Sequence, residues 1–274
     1  MRTFSPIVAL LVLVLALVPA GCAGQDSGEG GPASALAETE ANLAALESGD
    51  LSLRLLAAGT GEEGGEVGIE ITGPFALGGG GELPVAELEY TEIGGEARAG
   101  TTFVSTGEKA FLELQGTTYE LPAGMVEGLR GRGGDGAGLE RLGIEDWLVD
   151  PELTPGSGET DRVEGDLDVG EAASDLAALL AELGGGVSPL DENALETLER
   201  ATQSSRIVIV TGSEDRLLRQ LTIELELGVE GTRELEQTLE GLGGGAALTF
   251  DLRIERPNEP VRVDEPVDAV PYPG

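Results

Sequence analysis

The residues able to do covalent or acid–base chemistry in this 274-residue chain are few in kind. There is one cysteine, Cys22, no histidine, and 51 carboxylates. Without an imidazole there is no Ser-His-Asp triad, no histidine metal ligand and no acid or base titrating near neutrality. A single thiol makes neither an internal disulfide nor a thiolate metal site. Paired acids such as Asp166 and Asp168 remain, and carboxylate pairs are the machinery of glycoside hydrolysis. Fifty-one acids guarantee chance pairs, however, and Trp147, three tyrosines and five phenylalanines offer little surface for stacking on sugars. No enzymatic activity, cofactor or metal is expected.

The surroundings of Cys22 give the thiol another use. Arg2 precedes an apolar run from Ile7 to Val18, and Pro19, Ala20 and Gly21 follow. A charged start, a short hydrophobic core and small residues make a secretory signal peptide over residues 1–21. The run is too short to span a bilayer as a helix, which takes about 20 apolar residues. Ala20-Gly21-Cys22 resembles the bacterial lipobox, with Pro19 where Leu or Val is commoner. That resemblance implies cleavage before Cys22 and a diacylglyceryl group on its sulfur. The expected location is the extracytoplasmic face of the cell membrane, held by a lipid anchor. Residues 22–32, rich in Gly, Ser and acid, then form a flexible tether, and 33–274 a single domain.

Charge narrows the partners. Without Arg2, 15 of the 16 basic side chains remain against 51 acidic ones, a net charge of −36. Nucleic-acid binding needs clustered Lys and Arg, so it is not expected. An anionic membrane surface repels such a domain and favours its standing off on the tether.

Three short motifs come to nothing. Gly59 to Gly64 fits G-x-G-x-x-G, but a strand-like run follows it, and Glu62 and Glu63 repel a pyrophosphate; a hairpin turn is the better reading. Gly133 to Gly138 does not recur at the fixed period of calcium-binding glycine repeats. Asp166-Leu167-Asp168 lacks the other ligands of an EF-hand loop.

The elements behind these residues follow from periodicity. Ala33 to Glu47 reads as a helix with Leu36, Leu43 and Leu46 on one side. Period-two strands follow: Leu51, Leu53 and Leu55; Val67, Ile69 and Ile71; Ala86, Leu88 and Tyr90. Further strands fit Ala97 to Ser105, Lys109 to Leu114 and Thr117 to Leu121. This predicts an antiparallel meander with one apolar and one wet face. Gly124 to Trp147 holds short helical pieces, and Pro151 to Gly158 is expected to be a loop. Arg162 to Val169 alternates again. Asp168 and Glu171 then cap a helix with a stripe of Leu176, Leu179, Leu180 and Leu183. A second helix follows Ser188-Pro189, carrying Leu195 and Leu198. Arg206 to Val210, the strand with Ile223 and Leu225, and the strand with Phe250 and Leu252 return to sheet, with a short helix expected over Thr232 to Leu242. The plan is α+β.

The segments "STGEKAFLELQGTTYELP" (Ser105 to Pro122), "DRVEGDLDVGEAASDLAALLAEL" (Asp161 to Leu183), "LTIELEL", "LTFDLRIERPNEPV" and "DEPVDAVP" resemble the LppX/LprAFG family of actinobacterial lipoproteins, which shares a fold with the carriers LolA and LolB. The resemblance implies a curved antiparallel sheet, a half-barrel, with helices over its concave apolar face. It further implies that acyl chains of lipids or lipoglycans lie between sheet and helices, delivered to or taken from an envelope transport partner. The lining is then expected from Leu53, Leu55, Ile69, Ile71, Leu88, Tyr90, Phe103, Phe111, Ile223, Leu225, Phe250 and Leu252 on strands, with Leu176 and Leu180 on a helix. The same pattern serves a filled core, and a second reading follows from that: an interaction module that binds an envelope protein or sensor. Abundant Gly and Ala and few aromatics make complete filling harder. A shelter matters energetically, since about 0.8 kcal/mol per buried CH₂ makes one long acyl chain worth on the order of 10 kcal/mol.

Overall fold

The computed structural model describes residues 30–60, 65–78, 82–94, 100–133, 143–182, 192–228 and 245–273; for 131–133, 176–182, 192 and 194 only the backbone is described. Cys22, the 229–244 segment with its expected helix, and the Gly133 to Gly138 motif beyond its first residue lie outside the described residues.

Alternating strands dominate. β1 (Ser48–Gly59), β2 (Glu66–Ala76), β3 (Val85–Ile93), β4 (Thr101–Thr106), β5 (Ala110–Leu114) and β6 (Thr117–Glu120) form one antiparallel meander. β7 (Leu148–Pro155), β8 (Thr160–Leu167), β9 (Thr202–Gly212), β10 (Leu218–Gly228) and β11 (Gly245–Glu255) form a second. The two join where β1 pairs with β11, so the start and end of the domain meet at mid-sheet. The sheet is curved and unclosed, an α+β half-barrel, and runs from β12 (Val270–Pro271) to β7. The expected all-antiparallel pairing is corrected at one edge, where β12 lies parallel to β6.

The loop expected at Pro151 to Gly158 is also corrected. Leu148–Pro155 is a strand, and it is the last strand of the sheet. Proline removes a ladder donor, which matters little on an edge, so composition misleads there. Asp150, with φ of 50°, and the register shift between Val149 and Glu152 blunt that edge further.

β2 needs a glycine at one position. Gly73 has φ of 142°, and a Cβ there would lie 1.9 Å from the Glu87 carbonyl oxygen of β3. No larger residue fits there, where the backbones of β2 and β3 approach closely.

Four helices occur among the described residues: α1 (Pro32–Leu43), α2 (Ala123–Gly133), α3 (Val169–Glu182) and α4 (Glu192–Ala201). α1 starts with Pro32 in its first turn, where a missing N–H costs nothing. It packs on β7, β8 and β10 and buries Ala35, Leu36, Thr39 and Leu43. Polar contacts fix its position. Thr39 Oγ1 donates to the Ala35 carbonyl at 2.7 Å and lies 3.0 Å from Thr211 Oγ1 on β9. Arg216 joins Glu38 of α1 to Asp161 of β8. Asp168 caps α3 as its position predicts, accepting from the Glu171 N–H at 3.1 Å.

Candidate binding face

Directly opposed residues of neighbouring strands share a face of the sheet. One row on the helix side runs Ile209, Leu221, Leu252, Leu53, Ile71 and Tyr90 through successive strands. All six are buried, and they belong to one hydrophobic core with Leu36, Leu43, Val126 and Trp147. Leu88 and Phe103, opposed to each other, are buried in that core too.

Two positions further along the strands, the face opens. The next row runs Ile207, Ile223, Phe250, Leu55, Ile69 and Glu92, and the row after it Ser205, Leu225, Leu248, Ala57 and Val67. Leu55 is 44% exposed and Val67 49%, while Ile69, Leu225, Leu248 and Phe250 are half-buried. A single exposed apolar side chain is unremarkable. Six neighbours on one face form a patch of the kind that takes a ligand or partner.

The expected lining residues therefore divide. Leu55, Ile69, Leu225 and Phe250 come together on the open rows. Leu53, Ile71, Leu88, Tyr90, Phe103 and Leu252 are brought together beside them as closed core, and Ile223, though on the row of Phe250 and Leu55, is itself buried. Leu176 and Leu180 fall in 176–182 of α3, where only the backbone is described. Phe111 requires correction. It opposes Val104 and Glu120, so it lies on the other face of the sheet, where it is fully buried. The inward positions of β5 are Ala110, Leu112 and Leu114, opposed to Ser105, Phe103 and Thr101. Sequence reasoning missed Val67 and Leu248 as lining, although both stand in phase with residues it chose.

The open rows are apolar up to their edges. At the β3 end stands Glu92, opposite Ile69, with the hydroxyl of Tyr90 donating to its Oε1 at 3.4 Å. Burial, then the neighbouring carboxylate, pushes the Tyr90 hydroxyl above the usual tyrosine range, so it stays protonated. At the β9 end, Ser205 ties its hydroxyl to the backbone of Leu167, accepting from N–H at 3.2 Å and facing the carbonyl at 3.1 Å.

Ser205 also lines a depression of about 700 Å³ at the ends of β8 and β9, with Thr202, Gln203, Ser204, Asp166, Asp168 and Glu199. This depression is polar and open. Elsewhere, Glu164 is held below the usual carboxylate range by hydrogen bonds from Arg162 and Arg206. Glu40 of α1 is raised, first by burial and then by Glu145, Asp146 and Asp175 nearby, against the lowering effect of the Glu145 N–H. Among the described residues, no helix is long and apolar enough to cross a membrane.

No protein-family model and no curated protein matches this sequence. Among solved structures, the chain is similar to LprF from Mycobacterium bovis, at 12% identity and a TM-score of 0.39, over 89% of this chain and 99% of that one. It is also similar to the LolA superfamily protein NE2245 from Nitrosomonas europaea, at 7% identity and a TM-score of 0.21, over 84% and 96%. At such values the likeness carries nothing about a binding face, which rests on the rows above.

Proposed function

We propose that this chain is a lipid-binding lipoprotein of the cell envelope, which receives acyl chains on the open rows of its concave face and carries or presents the lipid there. The observation that supports this reading is the continuous apolar surface of Leu55, Val67, Ile69, Leu225, Leu248 and Phe250, left open beside a closed core. Water gains where such a surface is covered, and an acyl chain of matching shape is the simplest cover. Cys22 belongs to the same proposal: a diacylglyceryl group on its sulfur, with further acylation, anchors the domain firmly, since two chains exceed the marginal hold of one. The lipid need not then leave the membrane plane unaided.

Native mass spectrometry of the mature protein tests both parts. The chain should begin at Cys22 carrying a diacylglyceryl mass. The delipidated domain, offered diacyl and triacyl lipids at micromolar levels, should gain lipid adducts. Leu55→Arg should abolish them with a change of no more than about 1 kcal/mol in stability, because the position is already exposed. A folded domain that takes up no lipid overturns the reading.

A further inference from the structure

Among the described residues the open rows are apolar between their ends: at the β9 end stands Ser205, its hydroxyl tied to the Leu167 backbone, and at the β3 end a carboxylate. Glu92 opposes Ile69, which opposes Leu55, which opposes Phe250. Strands lie about 4.8 Å apart, so Glu92 stands one strand from Ile69 and two from the exposed Leu55. Its companion Tyr90 is 5% exposed, with its ring in the core row and its hydroxyl turned along the face to Glu92. Among the described residues, the hydrogen bond to this carboxylate comes from the Tyr90 hydroxyl at 3.4 Å, a long one, and a carboxylate has room for further donors. On the three rows described, Glu92 is the one charged residue. An anionic head drawn to that end would meet a like charge beside an apolar surface, whereas a hydroxyl or ammonium would be received.

We propose that Glu92, with Tyr90 beside it, is the polar end of the acyl-binding face and selects amphiphiles whose head carries a hydrogen-bond donor and no negative charge. This rests on the reading of the open rows as an acyl-binding face. Glu92 acts as a specificity-determining residue, rejecting one head class by repulsion and accepting the other by a charge-assisted hydrogen bond. Tyr90 sets its hydroxyl beside that carboxylate.

The test uses three probes of one chain length: decan-1-ol, decylamine and decyl sulfate, each competing with an apolar fluorescent dye on the mature protein. Salt is held at about 0.5 M, which screens the distant charges of an acidic domain and leaves a contact charge in play. The alcohol and the amine should displace the dye at concentrations at least about tenfold below those needed for the sulfate. Glu92→Gln should bring the sulfate to within about threefold of the alcohol, since a contact charge is worth more than screened distant ones. A selectivity that Glu92→Gln leaves unchanged overturns the inference while acyl binding stands. Equal displacement by all three probes overturns it in the same way. A folded protein on which neither dye nor any probe binds overturns the acyl-binding reading itself.

Discussion

Glu40 shows how a single residue on the covering helix carries a cost set by its neighbours. Its carboxylate is partly buried in α1 and stands among Glu145, Asp146 and Asp175, and its ionisation is displaced upward for those reasons, burial first. A carboxyl whose folded pKa lies above its unfolded one favours the native state when protonated. The penalty is therefore absent below the unfolded value, grows as pH rises through the folded value, and is fully present at neutrality. Glu40→Gln keeps an acceptor for the Glu145 N–H and removes the charge. The variant should melt at a higher temperature than the parent at about pH 7, and the two should converge near pH 3, where both states bind the proton. Thermal melts at the two pH values check it, and a gain that persists unchanged at low pH would point to packing rather than charge.

At the scale of the element, β1 puts a closed and an open position two residues apart on one face. Leu53 is 9% exposed and Leu55 44%. Leu53→Ala should cost about 2–5 kcal/mol, as a buried leucine does when its methyl groups leave a cavity. Leu55→Ala should cost well under half of that in urea denaturation, yet weaken lipid uptake. Equal costs would mean that the face is a plain core throughout. Alternation in the sequence made both positions legible as inward, because strands of period two cannot hide their phase when one face is polar. It could not say which inward residues are covered, since that depends on where other elements lie across the sheet, and contacts such as those of Thr39 and Glu38 with Thr211 and Arg216, which fix α1, join residues far apart in sequence. Phe111 was illegible for a different reason. In the run Ala110-Phe111-Leu112 every position is apolar, so either phase fits, and the register with β4 alone decides it. β7 was hidden by Pro151 and Pro155, which an edge strand tolerates. β12 was hidden by its length of two residues.

At the scale of the molecule, the chain end does what neither meander can do for itself. β11 lies at mid-sheet, and six strands separate it from β12 on the far edge. Between them the chain leaves through Asn258, whose side chain accepts from the Glu47 N–H at 2.7 Å and donates to the Ala45 carbonyl at 2.8 Å, while its own N–H donates to Ser48 at 2.8 Å. It next meets Lys109, the one lysine of the sequence, whose Nζ lies 2.6 Å from Glu265. It ends with Val270 and Pro271 against β6, the Tyr272 N–H donating to the Glu120 carbonyl at 3.1 Å, and the Tyr272 ring edge-on to Tyr119 at 5.9 Å. The strap thus covers an edge that would otherwise present unpaired backbone groups to another chain. The exposed ion pair contributes little; the aromatic pair and the backbone bonds together contribute about 2–4 kcal/mol. Ending the chain after Glu259 keeps the Asn258 contacts and removes the rest. The shortened domain should lose roughly that stability in urea, and β6, once uncovered, should let two copies pair by their edges, which sedimentation would read as a concentration-dependent dimer. Unchanged stability would show that the strap merely rests on the sheet. Lys109→Met should sediment as the parent does, because the exposed ion pair contributes little while β12 and Tyr272 cover the edge.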